Sequence, residues 1–256
     1  MSKMPVVFIG HGSPMNAIED NSFTQAWEAM AKKIPTPKEI LVISAHWYVK
    51  GTRILTDVKP KMTYDMYGFP QELYQVVYDA PGAVATAKRV QDLLGNTVQV
   101  DNSWGYDHGN WAVLHKMYPN HDIPVTQLSV DQTLSAKGHF LLGQKLKPLR
   151  DEGVLILASG DVVHNLQRVD WDSTVGYDWA EKFDHQIRDE ILAGRYENVV
   201  NYETFGKPAQ WSVPTPDHYD PLLYMIGAAD TDDKVTVYND ACVMGSLSMT
   251  SYMLGS

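Results

Sequence analysis

Three short runs of apolar, largely β-branched residues in this chain are each followed by a histidine. The runs and the histidines are 6–10 with His11, 40–45 with His46, and 154–163 with His164. Such runs are typical of buried strands in α/β sheets. Because ligands bind at the carboxyl ends of those strands, the three imidazoles are predicted to meet at one sheet edge and to form a candidate metal site.

The composition favours one sizeable folded unit. Apolar residues make up 44% of the 256 positions and aromatic residues 11%, which is ample for a large core. No stretch resembles a linker, an internal repeat or a low-complexity tract. We therefore predict a single domain over residues 1–256, with some aromatic side chains lining a pocket.

Charge and cysteine content exclude several classes of partner. The net charge is −10, and the lysines and arginines form no basic stripe, so nucleic acids and anionic membranes are not expected partners. The apolar stretch after Pro5 is too short for a signal peptide or a membrane span. Cys242 is the one cysteine and has no intramolecular partner, which favours a reducing, cytoplasmic location. The sequence does not define the oligomeric state.

Apolar runs and breakers alternate along most of the chain. This order predicts a three-layer α/β/α domain with a central, mostly parallel or mixed sheet and a metal site at the strand carboxyl ends. The predicted helices span 22–33, 82–94, 135–151, 177–193 and 219–228. The further predicted strands span 39–44, 52–55, 98–100, 124–130, 154–158, 234–238 and 246–254. Residues 64–70 and 101–110 are predicted loops, the first aromatic and the second rich in glycine.

The sequence around each of the other histidines distinguishes a candidate ligand from structural or surface residues. His218 stands at a helix start after two prolines, where it would supply a ligand from the opposite wall of a cleft. His121 and His185 are predicted to be surface residues, and His115 and His139 to lie at the edge of the core. Neutral imidazole suits zinc, iron, copper and nickel alike, so the residues by themselves choose neither a metal nor a reaction.

Six motifs occur in order along the chain. They are His11-Gly12-Ser13-Pro14, Ser44-Ala45-His46-Trp47, Trp104-Gly105-Tyr106-Asp107-His108-Gly109, Gly160-Asp161-Val162-Val163-His164-Asn165-Leu166, Thr215-Pro216-Asp217-His218-Tyr219 and Met244-Gly245-Ser246-Leu247-Ser248-Met249. Together they resemble the class III extradiol ring-cleavage dioxygenases, a LigB-like family, in its DOPA-cleaving branch.

The resemblance implies one divalent metal ion held by His11, His46 and His218. It implies Fe²⁺ for turnover, with Zn²⁺ as an expected occupant. By the same resemblance His164 is the acid/base, and a candidate fourth ligand when zinc is bound, while His108 hydrogen-bonds oxygen or substrate. Many relatives carry a carboxylate at the third ligand position, where this chain has His218. Asp217 and Asp220 flank it as candidate partners.

The implied reaction is cleavage of a catechol beside its two hydroxyls, with both atoms of O₂ incorporated. For DOPA the product is 4,5-seco-DOPA. Trp47, Trp104 and Tyr106 are predicted to stack on the catechol, although each is equally typical of a core residue. Two other functions stay open: a zinc-dependent hydrolase of an amide or ester that uses the same histidines, and a metal-binding protein without turnover.

Overall fold

Alternate residues of the longest strand, β2 (Glu39–Val49), lie on opposite faces of one sheet. Ile40 and Val42 belong to the apolar core on one face, and Leu41 and Ile43 to the core on the other. All four side chains are fully buried. A strand alternates its side chains with a period of two, so a run that is apolar at every position needs cover on both faces.

The computed structural model describes residues 3–255, apart from the side chain of Asn96. Its strands are β1 (Val6–Gly10), β2, β3 (Thr52–Ile54), β4 (Val98–Val100), β5 (Val125–Asp131), β6 (Val154–Gly160), β7 (Lys234–Tyr238), β8 (Cys242–Val243), β9 (Leu247–Ser248) and β10 (Ser251–Gly255). Eight of them form one sheet in the order β4-β3-β5-β2-β6-β1-β10-β7, and β8 pairs with β9 separately. β5, β2, β6 and β1 are parallel, while β10 and β7 add an antiparallel margin. The sheet is therefore mixed around a parallel centre.

Helices cover both faces of this sheet. They are α1 (Ser22–Ala31), α2 (Val84–Leu94), α3 (His108–Met117), α4 (Ala136–Leu146), α5 (Asp178–Leu192), α6 (Tyr196–Val200), α7 (Lys207–Ser212) and α8 (Asp220–Gly227). α1 and α3 pack on one face, and α2, α4, α5 and α8 on the other. The predicted α/β/α architecture is confirmed. Within residues 3–255 no helix is both long and apolar enough to cross a bilayer.

Several predicted boundaries were wrong for identifiable reasons. The predicted helix over 135–151 ends at Leu146 and continues as a 3₁₀ turn that contains Pro148. The predicted loop over 101–110 already contains the start of α3, because Asp107 caps that helix by accepting a hydrogen bond from the Asn110 amide. The predicted strand over 39–44 extends to Val49, since β2 continues along β5 after a shift in register.

Candidate active site

Three of the predicted metal ligands lie together at the carboxyl edge of the parallel strands. His11 directly follows β1, His46 lies in the irregular part of β2, and His218 ends the 3₁₀ turn before α8. The Nε2 atoms of His11 and His46 are 3.1 Å apart. One ring nitrogen from each of the three lies within 4.8 Å of the others, a spacing that suits a shared ion.

Each of these imidazoles is held from behind by an oxygen near its Nδ1 atom. The three contacts are His11 with the Ser159 hydroxyl at 2.9 Å, His46 with an oxygen of Asp65 at 3.2 Å, and His218 with a carboxylate oxygen of Asp217. A partner at Nδ1 fixes the ring orientation and the tautomer, and leaves Nε2 for a metal. Of the two candidate partners of His218, the structure selects Asp217. Asp220 pairs instead with His139.

The surroundings of His11, His46 and His218, here called the trio, favour binding of a cation. Burial lowers the pKa of His11 and His46 well below the usual range, and neighbouring imidazoles lower both further. The Nε2 atoms of His11 and His46 are within hydrogen-bond distance, and the tautomers decide which of them donates. When both rings carry their proton on Nδ1, both Nε2 lone pairs are available to a cation. The buried Nε2 of His218 has no hydrogen-bond partner among the described residues. A divalent ion among these nitrogens fits the donor set.

His164 stands beside this trio rather than within it. Its ring stacks on His218, with the ring centroids 3.5 Å apart. Burial and the adjacent His218 lower the pKa of His164 well below the usual range, although Asp217 acts in the opposite direction. His164 is therefore a neutral imidazole at neutral pH, and it lies beside the group formed by His11, His46 and His218.

Asp161 is a buried carboxylate at the site that the sequence reasoning did not assign. It directly follows β6, accepts a hydrogen bond from the Gly12 amide at 3.0 Å, and lies 3.5 Å from Nε2 of His11. Within residues 3–255 its Oδ2 atom has no hydrogen-bond partner. Burial raises the pKa of Asp161 well above the usual range. The rule that selected His11, a polar residue just past a buried strand, selects Asp161 as well.

A close approach between two backbone segments behind the site explains why position 160 is a glycine. Gly160 ends β6 against the chain that carries His218, and a Cβ atom at Gly160 would lie 2.1 Å from the His218 carbonyl oxygen. Only glycine fits this position without displacing His218. The close packing of β6 against this turn therefore fixes the position of His218 at the sheet edge.

The four predicted histidines and His108 face one cavity of about 530 Å³. Its lining consists of His11, Gly12, Ser13, Pro14, His46, Asp65, Met66, Tyr67, Gly68, Phe69, His108, His164, Leu166, Trp171, His218 and Leu247. Tyr67 is 92% exposed and Trp171 is 64% exposed, so the mouth is apolar and open. A larger cavity of about 690 Å³ beside α4 has no histidine among its described lining residues, so chemistry rather than size identifies the site.

The structure places the three predicted stacking residues outside this cavity. Trp47 follows His46 in β2 and so lies on the opposite face, buried and stacked on Trp104 at 6.5 Å. Trp104 donates its indole N–H to Asp107, and the buried Tyr106 hydroxyl donates to the Val125 carbonyl. These contacts favour the alternative interpretation of the three as packing residues. The aromatic residues that do line the cavity are Tyr67, Phe69 and Trp171.

The remaining histidines lie away from the trio. His139 is fully buried and hydrogen-bonds the Tyr224 hydroxyl at 3.1 Å. His121 pairs with the exposed Asp79, His115 is half-buried, and His185 is exposed. All four agree with the assignment of these positions to structure or surface.

The fold and the site together define an α/β enzyme with a cluster of imidazoles that can hold a metal at the sheet edge. The family described as the catalytic LigB subunit of aromatic ring-opening dioxygenase matches residues 4–255. The chain belongs to this family.

Full-length relatives agree with the family match. The chain is 45% identical over 261 residues to the 4,5-DOPA dioxygenase extradiol of Escherichia coli K12, covering 99% of this chain and 96% of that protein. It is 40% identical over 262 residues to the protein of the same name from Beta vulgaris, covering 97% and 96%. The crystal structure of an uncharacterised Escherichia coli K12 protein matches with a TM-score of 0.85 at 41% identity, covering 99% of this chain and all of that one.

Proposed function

We propose that this ring-opening dioxygenase cleaves catechols in the extradiol manner, and that DOPA, opened at the 4,5 bond to 4,5-seco-DOPA, is its leading substrate. Relatives named 4,5-DOPA dioxygenase extradiol, similar over nearly the whole chain, support this choice. The observation that carries the proposal is the set of three imidazoles that line one open cavity, each with an oxygen near its Nδ1 atom and with one ring nitrogen of each within 4.8 Å of the others.

His11, His46 and His218 are the proposed ligands. A bound Fe²⁺ would supply the redox chemistry that lets a singlet catechol react with triplet O₂. Imidazole also suits Zn²⁺, which we propose as a competing occupant of the same site. The chain itself orients the ligands through Ser159 and the two carboxylates at Nδ1, and excludes bulk water from the buried side of the cavity.

His164 and His108 are the proposed proton carriers. His164 is neutral because burial lowers its pKa, so it can accept a phenolic proton when the catechol binds and return it as the ring opens. His108 lines the same cavity and is 7% exposed. Its proposed role is to hydrogen-bond O₂ or a substrate oxygen.

Tyr67, Phe69 and Trp171 are the proposed contacts of the catechol ring and its substituent. They surround the mouth of the cavity, and aromatic rings pair favourably at offset or edge geometries. A cytoplasmic location stays a prediction, supported by the lone, buried Cys242.

Anaerobic reconstitution with Fe²⁺, followed by a catechol and then O₂, tests the function. DOPA, protocatechuate and catechol are compared, and O₂ uptake is followed together with a yellow ring-opened product. Uptake of one O₂ per product supports the proposal. No uptake with any catechol contradicts it, and ester or amide hydrolysis by the Zn²⁺ form would then favour the hydrolase.

A further inference from the structure

Asp65 contacts two cavity histidines through a single carboxylate oxygen. Its Oδ2 atom lies 3.0 Å from Nδ1 of His108 and 3.2 Å from Nδ1 of His46. Its Oδ1 atom accepts the backbone N–H of His108 at 2.9 Å. The Asp65 side chain is 10% exposed, and the two imidazole centroids lie 3.7 Å apart. One carboxylate therefore meets two rings and the start of α3.

These contacts favour one tautomer of each ring. An ionised carboxylate only accepts hydrogen bonds, so His108 donates from Nδ1 and keeps Nε2 unprotonated. The carboxylate oxygen 3.2 Å from Nδ1 of His46 favours a proton on that nitrogen as well. Nε2 of His46 is the nitrogen that faces His11. For His108 the proton on Nδ1 leaves an acceptor at Nε2, which suits a substrate hydroxyl rather than O₂, because O₂ has no proton to donate. Charge-assisted hydrogen bonds of this kind hold imidazoles at metal sites in one orientation.

The same residue anchors the aromatic loop. Asp65 precedes Met66, Tyr67 and Phe69, all of which line the cavity. The N–H that Asp65 accepts belongs to the first residue of α3, where helix amides lack partners and a negative charge is stabilised. The loop that would contact the substrate is thus joined to the metal site through one side chain.

We propose that Asp65 is a positioning residue that sets the Nδ1–H tautomer of His46 and His108, and thereby couples the aromatic loop to metal binding. The inference rests on the proposed function because it takes His46 as a metal ligand. Asp65 is assigned no ligand role in this proposal. It acts through the two rings that it orients.

Asp65→Asn keeps the size of the side chain but offers only one acceptor atom. We expect the dissociation constant for Zn²⁺, measured by competition with a chromophoric chelator, to rise by about 10-fold to 100-fold. Asp79→Asn is the matched control, since Asp79 pairs with Nδ1 of His121 at 3.0 Å away from the cavity. The control is expected to bind Zn²⁺ as the unchanged protein does. Equal thermal midpoints of the metal-free proteins establish that both variants fold.

Two further measurements distinguish a positioning role of Asp65 from a general structural role of its side chain. In a His46→Ala background, whose weakened Zn²⁺ binding is measured at raised ion concentrations, Asp65→Asn is expected to lower the remaining affinity by less than about twofold, because the ring through which it acts is gone. Nitrogen-15 spectra of the histidine side chains of the Zn²⁺-bound protein should show Nδ1–H on His46 and His108, and loss of that state for at least one ring in Asp65→Asn.

Unchanged Zn²⁺ affinity in Asp65→Asn overturns the inference, and so does a full additional loss in the His46→Ala background. Neither measurement uses O₂ or a catechol. A protein that binds Zn²⁺ in this Asp65-dependent way but cleaves no catechol would therefore contradict the proposed function and leave the positioning role standing.

Discussion

The ring of His164 lies flat on the ring of His218, with an angle of 6° between their planes and 3.5 Å between their centroids. Two imidazoles stacked this closely repel each other when both are charged, which is one reason that the pKa of His164 is low. A neutral ring at this position can receive a proton, and its lone pair also leaves it a candidate fourth ligand.

His164→Ala is expected to retain most of its metal and to lose about 100-fold to 10,000-fold in kcat, the usual contribution of a general acid/base. His11→Ala or His46→Ala is expected to lose the metal itself. Metal content by elemental analysis and kcat with DOPA are measured on the same preparations. Loss of metal from His164→Ala as severe as that from His11→Ala would make His164 a ligand.

Gly160→Ala tests whether the backbone of β6 sets the position of His218. The new Cβ would lie 2.1 Å from the His218 carbonyl oxygen, so the turn must move. We expect Zn²⁺ affinity to fall by about 10-fold or more, as for loss of a supporting contact. Gly138→Ala in α4 is the control, because its nearest atom is a Leu134 side-chain carbon at 3.1 Å. Equal Zn²⁺ affinities for the two variants would contradict this relation.

The charge of the cavity wall predicts a substrate preference. Its described lining holds the carboxylate of Asp65 and neither lysine nor arginine. The nearby Arg168 stacks on Trp211 at 4.8 Å. A carboxylate on the ring therefore gains no cationic partner, and we expect a lower kcat/KM for protocatechuate than for 4-methylcatechol.

Leu166→Lys places a cationic partner for a ring carboxylate at the cavity mouth. It is expected to raise kcat/KM for protocatechuate by about twofold to fivefold, in the range of an exposed ion pair, and to leave 4-methylcatechol unaffected. Leu192→Lys is the control, since Leu192 is 50% exposed and Leu166 is 54% exposed. An equal gain for both substrates, or for both variants, would refute the charge argument.

Asp184 predicts a pH dependence of stability away from the cavity. It is fully buried on α5 and accepts hydrogen bonds from Ser248 and Thr250 at 2.5 and 2.6 Å. Burial raises its pKa to about 6, from 3.8 for a free aspartate. Between these two values the folded protein binds more protons than the unfolded chain, so this group's contribution to stability falls as pH rises.

Asp184→Asn removes that dependence. From pH 5 to pH 7.5 the variant is expected to gain roughly 1 kcal/mol in the free energy of unfolding relative to the unchanged protein, as measured in urea. Asp189→Asn alters a largely exposed carboxylate of the same helix and serves as the control. A relative gain with falling pH would show that the sign is wrong.

Part of this site could be predicted from the sequence because the strand-end rule and the strand-alternation rule depend only on neighbouring residues. A histidine just past a buried strand lies at the carboxyl edge of the sheet, and this rule located His11 and the region of His46. Strand alternation is equally local. Trp47, adjacent to His46 in β2, belongs to the opposite face, so its assignment to the substrate was avoidable.

The remainder depends on contacts between distant parts of the chain. Asp65 lies in an irregular loop, and only its contact with the start of α3 brings it to His108. Tyr67 and Trp171 reach the cavity mouth from loops that follow no periodic pattern. His218 was placed through its motif, since nothing in its own segment shows that the turn before α8 crosses the end of β6.

Two of the proposed metal ligands come from distant parts of the chain: His11 follows β1 and His218 precedes α8. An ion held by both closes a loop that contains most of the sequence. By mass action each tenfold excess of free ion over its dissociation constant adds about 1.4 kcal/mol to the stability of the whole domain. Metal supply would then govern how long the protein survives heat and proteolysis, as well as whether it turns over.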